Sequence, residues 1–119
     1  MENNFGKLGT QEEALAKVAP IVDGILQAQD DADYEKFCSF FEGALKQNIT
    51  KGDFEQNANQ IHSKMGKLKE KAFVTSMVRS TLIGFVYKCK FDGSPDDFLV
   101  TITINDNSDP LMATGIWIS

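Results

Sequence analysis

The hydrophobic period of this chain changes once, at Gly66, and that change limits the folds open to it. Before Gly66, apolar residues recur at the spacing that lines one side of an α-helix. After it they recur at every second position, as on one face of a β-strand. The strands that follow are joined by loops too short to hold crossover helices, so they must pair with their neighbours as an antiparallel meander. The sequence therefore predicts an α+β domain in which three N-terminal helices pack on a four-stranded antiparallel sheet.

The helix starts are marked by capping residues. Thr10, with Glu13 three positions on, forms a capping box. It opens a first helix whose stripe is Ala14, Leu15, Val18, Ala19, Ile21, Val22, Ile25 and Leu26. Pro20 and Gly24 fall opposite that stripe, and Pro20 predicts a bend near Ala16. The acidic group Asp30, Asp31 and Asp33 opens a second helix, where negative charge suits the positive end of the helix dipole. Its apolar face carries Tyr34, Phe37, Cys38, Phe40, Phe41, Ala44 and Leu45, a density of aromatics that calls for a sheet to cover. Thr50 and Asp53 start a third helix with a narrow stripe, Phe54, Ala58, Ile61 and Met65, ended by Gly66. Its other face is Gln and Asn, which places it on the outside.

Four strands are expected, at 68–78, 81–91, 97–105 and 111–118. In the second, Ile83, Phe85, Tyr87, Cys89 and Phe91 share one face, with Lys88 and Lys90 on the other. In the third, Phe98, Val100, Ile102 and Ile104 share a face opposite Thr101 and Thr103. The runs Asp92-Gly93-Ser94-Pro95-Asp96 and Asn105-Asp106-Asn107-Ser108-Asp109-Pro110 are turns. In the last strand Met112, Ile116 and Ile118 alternate with Leu111, Ala113 and Trp117, so both faces are apolar. Residues 1–9 read as a flexible arm and residues 10–119 as one domain.

Composition excludes several classes of function. At 119 residues the chain can bury one core, and 42% hydrophobic with 24% charged residues is ordinary globular content. A formal charge of −5 repels phosphate backbones, so no nucleic-acid partner is expected. No run approaches the ~18 to 20 apolar residues of a membrane span. The N-terminus has neither the basic start nor the apolar core of a signal peptide, and a cytoplasmic location is expected. Cys38 and Cys89 lie on apolar faces without CxxC spacing, which argues for inert buried thiols and against a disulfide framework or zinc site. Asn48-Ile49-Thr50 matches a glycosylation acceptor, but it is read as a helix end followed by a cap.

The order of these elements resembles the nuclear-transport-factor-2-like superfamily, the cystatin-like α+β cone, and its small bacterial members of unknown function. The resemblance spans about residues 10 to 119. It rests on the long first helix, the Asp33-Tyr34-Glu35-Lys36-Phe37 opening of the second, the Thr50-x-x-x-Phe54 start of the third, and the Gly66-Lys67-Leu68 exit into the sheet. It implies a curved sheet wrapping the long helix, a cavity between them, and frequent dimerisation through the outer sheet face. Some relatives are isomerases, dehydratases or hydrolases that use a pocket Asp, His or Tyr; others bind or assemble.

The candidate chemistry is sparse. His62, the one histidine, borders the narrow stripe and lacks the convergent partners of a metal or nucleophile site. Tyr87 lies on an apolar strand face, read first as a core tyrosine with its hydroxyl bonded or at the rim. An acid–base enzyme would want a carboxylate on an apolar wall, and the inward sets of strands two and three contain none. Glu42, Asp53 and Glu70 are the acids left for such a role. The span Asp31 to Glu42 has Lys36 where a calcium loop needs Gly, and Gly6-Lys7-Leu8-Gly9 is too short for a phosphate loop. No metal, catalytic residue or cofactor is expected. The expected function is small-ligand binding or assembly, with Tyr34, Phe37, Phe41, Phe85, Tyr87, Phe98 and Val100 lining a pocket for a small apolar ligand. The alternative is a small isomerase- or dehydratase-like enzyme. The two apolar faces of the last strand predict a homodimer through the outer sheet face.

Overall fold

A computed structural model describes residues 8–41, 50–79, 82–107 and 111–118. Three helices precede a four-stranded sheet: α1 Gln11–Asp31, α2 Tyr34–Ser39 and α3 Lys51–Met65, then β1 Leu68–Val78, β2 Ile83–Phe91, β3 Asp97–Asn105 and β4 Met112–Ile118. The strands lie in the order β1-β2-β3-β4 with every pair antiparallel, which is the expected meander.

The capping box of α1 is formed. The Thr10 hydroxyl accepts from the Glu13 N–H at 3.2 Å, and the Glu13 carboxylate accepts from the Thr10 N–H at 2.9 Å. The stripe residues Ala14, Val18, Ile21, Val22, Ile25 and Leu26 are buried, and the helix runs on past an exposed Pro20. Leu8, within the stretch read as an arm, is buried in the same core, and its carbonyl accepts from Lys17 Nζ at 3.2 Å.

Three local expectations change. Asp30 and Asp31 belong to the last turn of α1, which ends at Ala32 in a left-handed conformation (φ 54°). Asp33 alone caps α2, accepting from the Lys36 N–H at 3.2 Å. Gly24, placed opposite the stripe, instead packs against the residue that follows α2: the Phe40 ring occupies the space a side chain at Gly24 would need. Helix α2 is short, and Phe40 and Phe41 lie beyond it. Phe41 forms an isolated parallel bridge with Ala113, and the Phe40 carbonyl accepts from the Ala113 N–H at 2.8 Å. Ala44 and Leu45 lie outside the described residues.

Helix α3 starts at Thr50, whose hydroxyl accepts from the Asp53 N–H at 3.1 Å, and it buries Phe54, Ala58 and Met65. Its exit is clasped to the β2–β3 turn. The Asp92 carboxylate accepts from the Lys67 N–H at 2.9 Å, and the Gly93 N–H donates to the Met65 carbonyl at 2.8 Å. Gly66 turns the chain between these contacts with φ 84°, a conformation that disfavours any side chain.

On the inner sheet face, Ile83, Phe85, Tyr87, Cys89 and Phe91 of β2 and Val100, Ile102 and Ile104 of β3 join the α1 stripe in one core. The alternation expected in the last strand is altered by a bulge. Thr103 pairs with Gly115 but Ile104 pairs with Ala113, so Thr114 is the extra residue. The bulge resets the parity, and Ala113, Ile116 and Ile118 all fall in line with the inward Ile104, Ile102 and Val100. One residue thus removes most of the two-faced character read from the sequence. On the outer face Thr103 is buried between Gly84 and Gly115, with Met77 and Trp117 lying over those glycines. Its hydroxyl lies 2.6 Å from that of Thr114.

Gly66→Ala is expected to destabilise the domain by about 2 kcal/mol. An added Cβ would meet Asp92 and the Gly93 backbone as well as the unfavourable φ. Urea unfolding followed by circular dichroism measures the change.

Candidate functional site

The seven residues expected to line a pocket separate into four groups. Phe85 and Val100 are wholly enclosed in the core beside α1. Tyr34, Phe37 and Phe41 gather around Phe54 of α3. The Phe37 ring centroid lies 4.8 Å from that of Phe41 and 4.6 Å from that of Phe54, and Tyr34 lies 5.8 Å from Phe54. Phe98 sits near the start of β3, edge-on to Phe91 at 5.7 Å. Tyr87 packs edge-on against Phe73 at 5.8 Å.

A cavity lies to the side of these groups, as a cleft of about 540 Å³ between α3 and β4. Phe37, Phe54, Ala58, Ile61, Ile116 and Ile118 form its apolar surface, and Gln29, Asp53, Gln56 and Asn57 its polar part. Of the expected pocket residues only Phe37 lines it. The signal was present in α3. A helix with so narrow an apolar stripe cannot be covered along its length, and the Gln and Asn beside the stripe become a cleft wall. What the pattern lacked was the partner, because the pairing that sets Ile116 and Ile118 opposite Ile102 and Val100 is not written in the alternation of the last strand. A smaller hollow of about 340 Å³ is lined by Asp31, Ala32, Asp33, Tyr34, Glu35, Lys51 and Glu55. The Tyr34–Phe54 contact joins the linings of the two cavities.

Titratable groups of the core are held in their neutral forms. Burial, with smaller effects of Asp23 and Cys89, pushes the Tyr87 phenol up to about 12. Lys71 lies 5.6 Å from the centroid of that ring and forms a 2.8 Å ion pair with Asp23. Burial likewise pushes the Cys89 thiol up to about 11, where it carries almost no thiolate at neutral pH. Cys38 and Cys89 are both free and buried.

His62 is outside both cavities. Its Nε2 is buried without a hydrogen-bond partner among the described residues. Asp30 is the half-buried carboxylate that sequence reasoning assigned to a helix start. Both its oxygens lie 3.3 Å from the Leu68 N–H, the first residue of β1. Burial raises its pKa, and the Leu68 hydrogen bond opposes that rise only in part. Among the described residues no three His, Cys, Asp or Glu side chains are grouped to hold a metal ion. No helix of the described residues is long and apolar enough to cross a membrane.

The geometry defines an α+β domain of helices followed by a meander, with a lateral cleft. Neither a protein-family model nor a curated protein matches the chain. Solved structures that share the fold include Bd1075 and RPA3114. Bd1075 of Bdellovibrio bacteriovorus is 15% identical with a TM-score of 0.52, over 87% of this chain and 39% of that protein. RPA3114, a SEC-C motif containing protein from Rhodopseudomonas palustris, is 8% identical with a TM-score of 0.51, over 98% of both chains. At these identities the likeness is one of fold alone. The chain spans well under half of the first protein and nearly all of the second.

Asp30 supplies a test of the helix–strand tie. Its raised folded pKa means that the native state prefers the neutral carboxyl. This contribution is largest in acid and is lost as pH rises from the unfolded value through the folded one. Asp30→Asn keeps an acceptor for Leu68 and removes the buried charge. It is expected to match or exceed the parent stability at pH 7 and to flatten that part of the pH profile. Asp30→Ala removes the acceptor and is expected to cost about 1 kcal/mol. Denaturation at pH 4, 5.5 and 7 separates the two.

Proposed function

We propose that this is a non-catalytic binding domain of the nuclear-transport-factor-2-like type, taking a small ligand with an apolar body in the α3–β4 cleft. The observation that carries the reading is the cleft itself. Its volume falls in the ~300 to 1,000 Å³ range of small-molecule sites, and its lining combines an apolar surface with a few polar groups. The order of three helices followed by a meander supports the superfamily assignment. The lining argues against an acid–base enzyme of the isomerase or dehydratase kind. Asp53 is its one ionisable residue among those described, and it stands in the first turn of α3 rather than on the apolar surface.

Nile red, a neutral apolar dye, is expected to bind with micromolar affinity and a blue-shifted emission. Asn57 is an exposed residue of the cleft lining, so Asn57→Trp should occlude the site without disturbing the core. The affinity should fall at least tenfold while the circular dichroism spectrum is unchanged. Equal binding by the variant would overturn the assignment to this cleft.

A second reading, assembly as a homodimer, is favoured by the outer sheet face. Trp117 is 57% exposed, Val74 51%, Leu99 44% and Met77 43%, a set of large apolar side chains left to solvent in the single chain. Light scattering at micromolar concentration is expected to give twice the 13.2 kDa chain mass. Trp117→Lys should return it to the single-chain value, and a single-chain mass for the parent would reject the dimer. Trp117 is the one tryptophan of the chain, so its emission should shift to the blue as concentration rises through the dimer constant.

A further inference from the structure

We infer that the α3–β4 cleft selects a cationic amphiphile, an alkyl or aryl ammonium with its apolar body on Phe54, Ile61, Ile116 and Ile118 and its charged head at Asp53. This rests on the cleft being the ligand site, and it adds the chemical class of the ligand. Among the described lining residues Asp53 carries the one charge, and neither Lys nor Arg is present. The remaining polar groups are the carboxamides of Gln29, Gln56 and Asn57, whose oxygens accept hydrogen bonds. An ammonium has three donors and no acceptor, so one carboxylate with nearby carboxamide oxygens answers all of its bonding capacity.

An anionic head meets the reverse. The N-terminus of a helix ordinarily favours anions. Here the Asp53 N–H is already donated to the Thr50 hydroxyl, and the Asp53 carboxylate supplies a negative charge in that same turn. The neighbouring hollow adds to the field. Asp31, Asp33, Glu35 and Glu55 outnumber Lys51 there, and it adjoins the cleft through the Tyr34–Phe54 contact. The chain as a whole carries −5, so its longer-range field acts in the same direction.

The test compares octylammonium, octanol and octanoate, which share one apolar body, by isothermal titration calorimetry on the full chain at pH 7. Octylammonium is expected to bind at least tenfold tighter than octanoate and measurably tighter than octanol, with an advantage that shrinks as salt is raised. Asp53→Asn should bring octylammonium binding to the level of octanol. Glu55→Gln, which alters the hollow but not the cleft, should stay within about twofold of the parent. Octanoate binding as tightly as octylammonium would overturn the inference, as would an Asp53→Asn variant that keeps the full preference. In both of those results octanol still binds and still responds to Asn57→Trp, so the cleft reading survives. Failure of all three compounds to bind would instead overturn the cleft as a ligand site, and the inference with it.

Discussion

Burial of one side of α1 against the inner faces of β2 and β3 is the interaction on which the rest of this domain depends. Val18, Val22 and Ile25 of the helix and Phe85, Val100, Ile102 and Ile104 of the sheet are completely enclosed in one core. At about 1.5 to 3 kcal/mol for each large apolar side chain removed from water, this layer outweighs any other contact in the structure. Strand β1 is different. It is the edge strand beyond β2, most of its residues are exposed, and its inner face carries Lys71 and Ser76. Polar ties hold it to α1 instead. Gln11 reaches Ser76 at 3.4 Å, Asp23 pairs with Lys71, and Asp30 accepts from Leu68. The contacts run in opposite directions along the two elements, so α1 lies antiparallel along β1. Apolar burial sets the position of the helix, and these polar contacts fasten the sheet edge to it.

Local features of the fold were legible in the sequence to different depths. Thr10, Asp33 and Thr50 all cap the helices they precede, because a cap involves residues only a few positions apart. The bounds of β1 and β3 also follow the alternation that predicts them. Features that join distant segments were not legible. Asp30 looks like a helix opener beside Asp31 and Asp33, and only the approach of Leu68 gives it a different role. Gly24 reads as a neutral position until Phe40 packs over it. The bulge at Thr114 has no composition of its own, yet it decides which side of the sheet Ala113 faces.

The candidate site shows the same division. The aromatic residues of α2 were recognised as dense and apolar, and they do cluster, but they cluster with Phe54 rather than around an opening. An aromatic cluster that satisfies itself makes a wall, and the space lies beyond it, where α3 is too sparsely apolar to close against β4. The cleft therefore comes from a shortage of large side chains on one helix. Polar residues on α3 that looked like a solvated face line that space. The chemistry of the core points away from proton transfer, since Tyr87 and Cys89 are both held protonated by their burial.

The hydrogen bond from the Ala113 N–H to the Phe40 carbonyl links the segment after α2 to a strand made much later on the ribosome. Vectorial synthesis therefore cannot complete the helical half of this domain before the sheet. The helices emerge first, with Ile25, Phe37 and Phe54 facing a partner that does not yet exist. Until β4 is translated and docks, the nascent chain presents its apolar stripes to the factors that guard against premature association. Closure of the fold is an event of late synthesis, governed by contacts distant in the sequence and slowed by the loop entropy they must overcome.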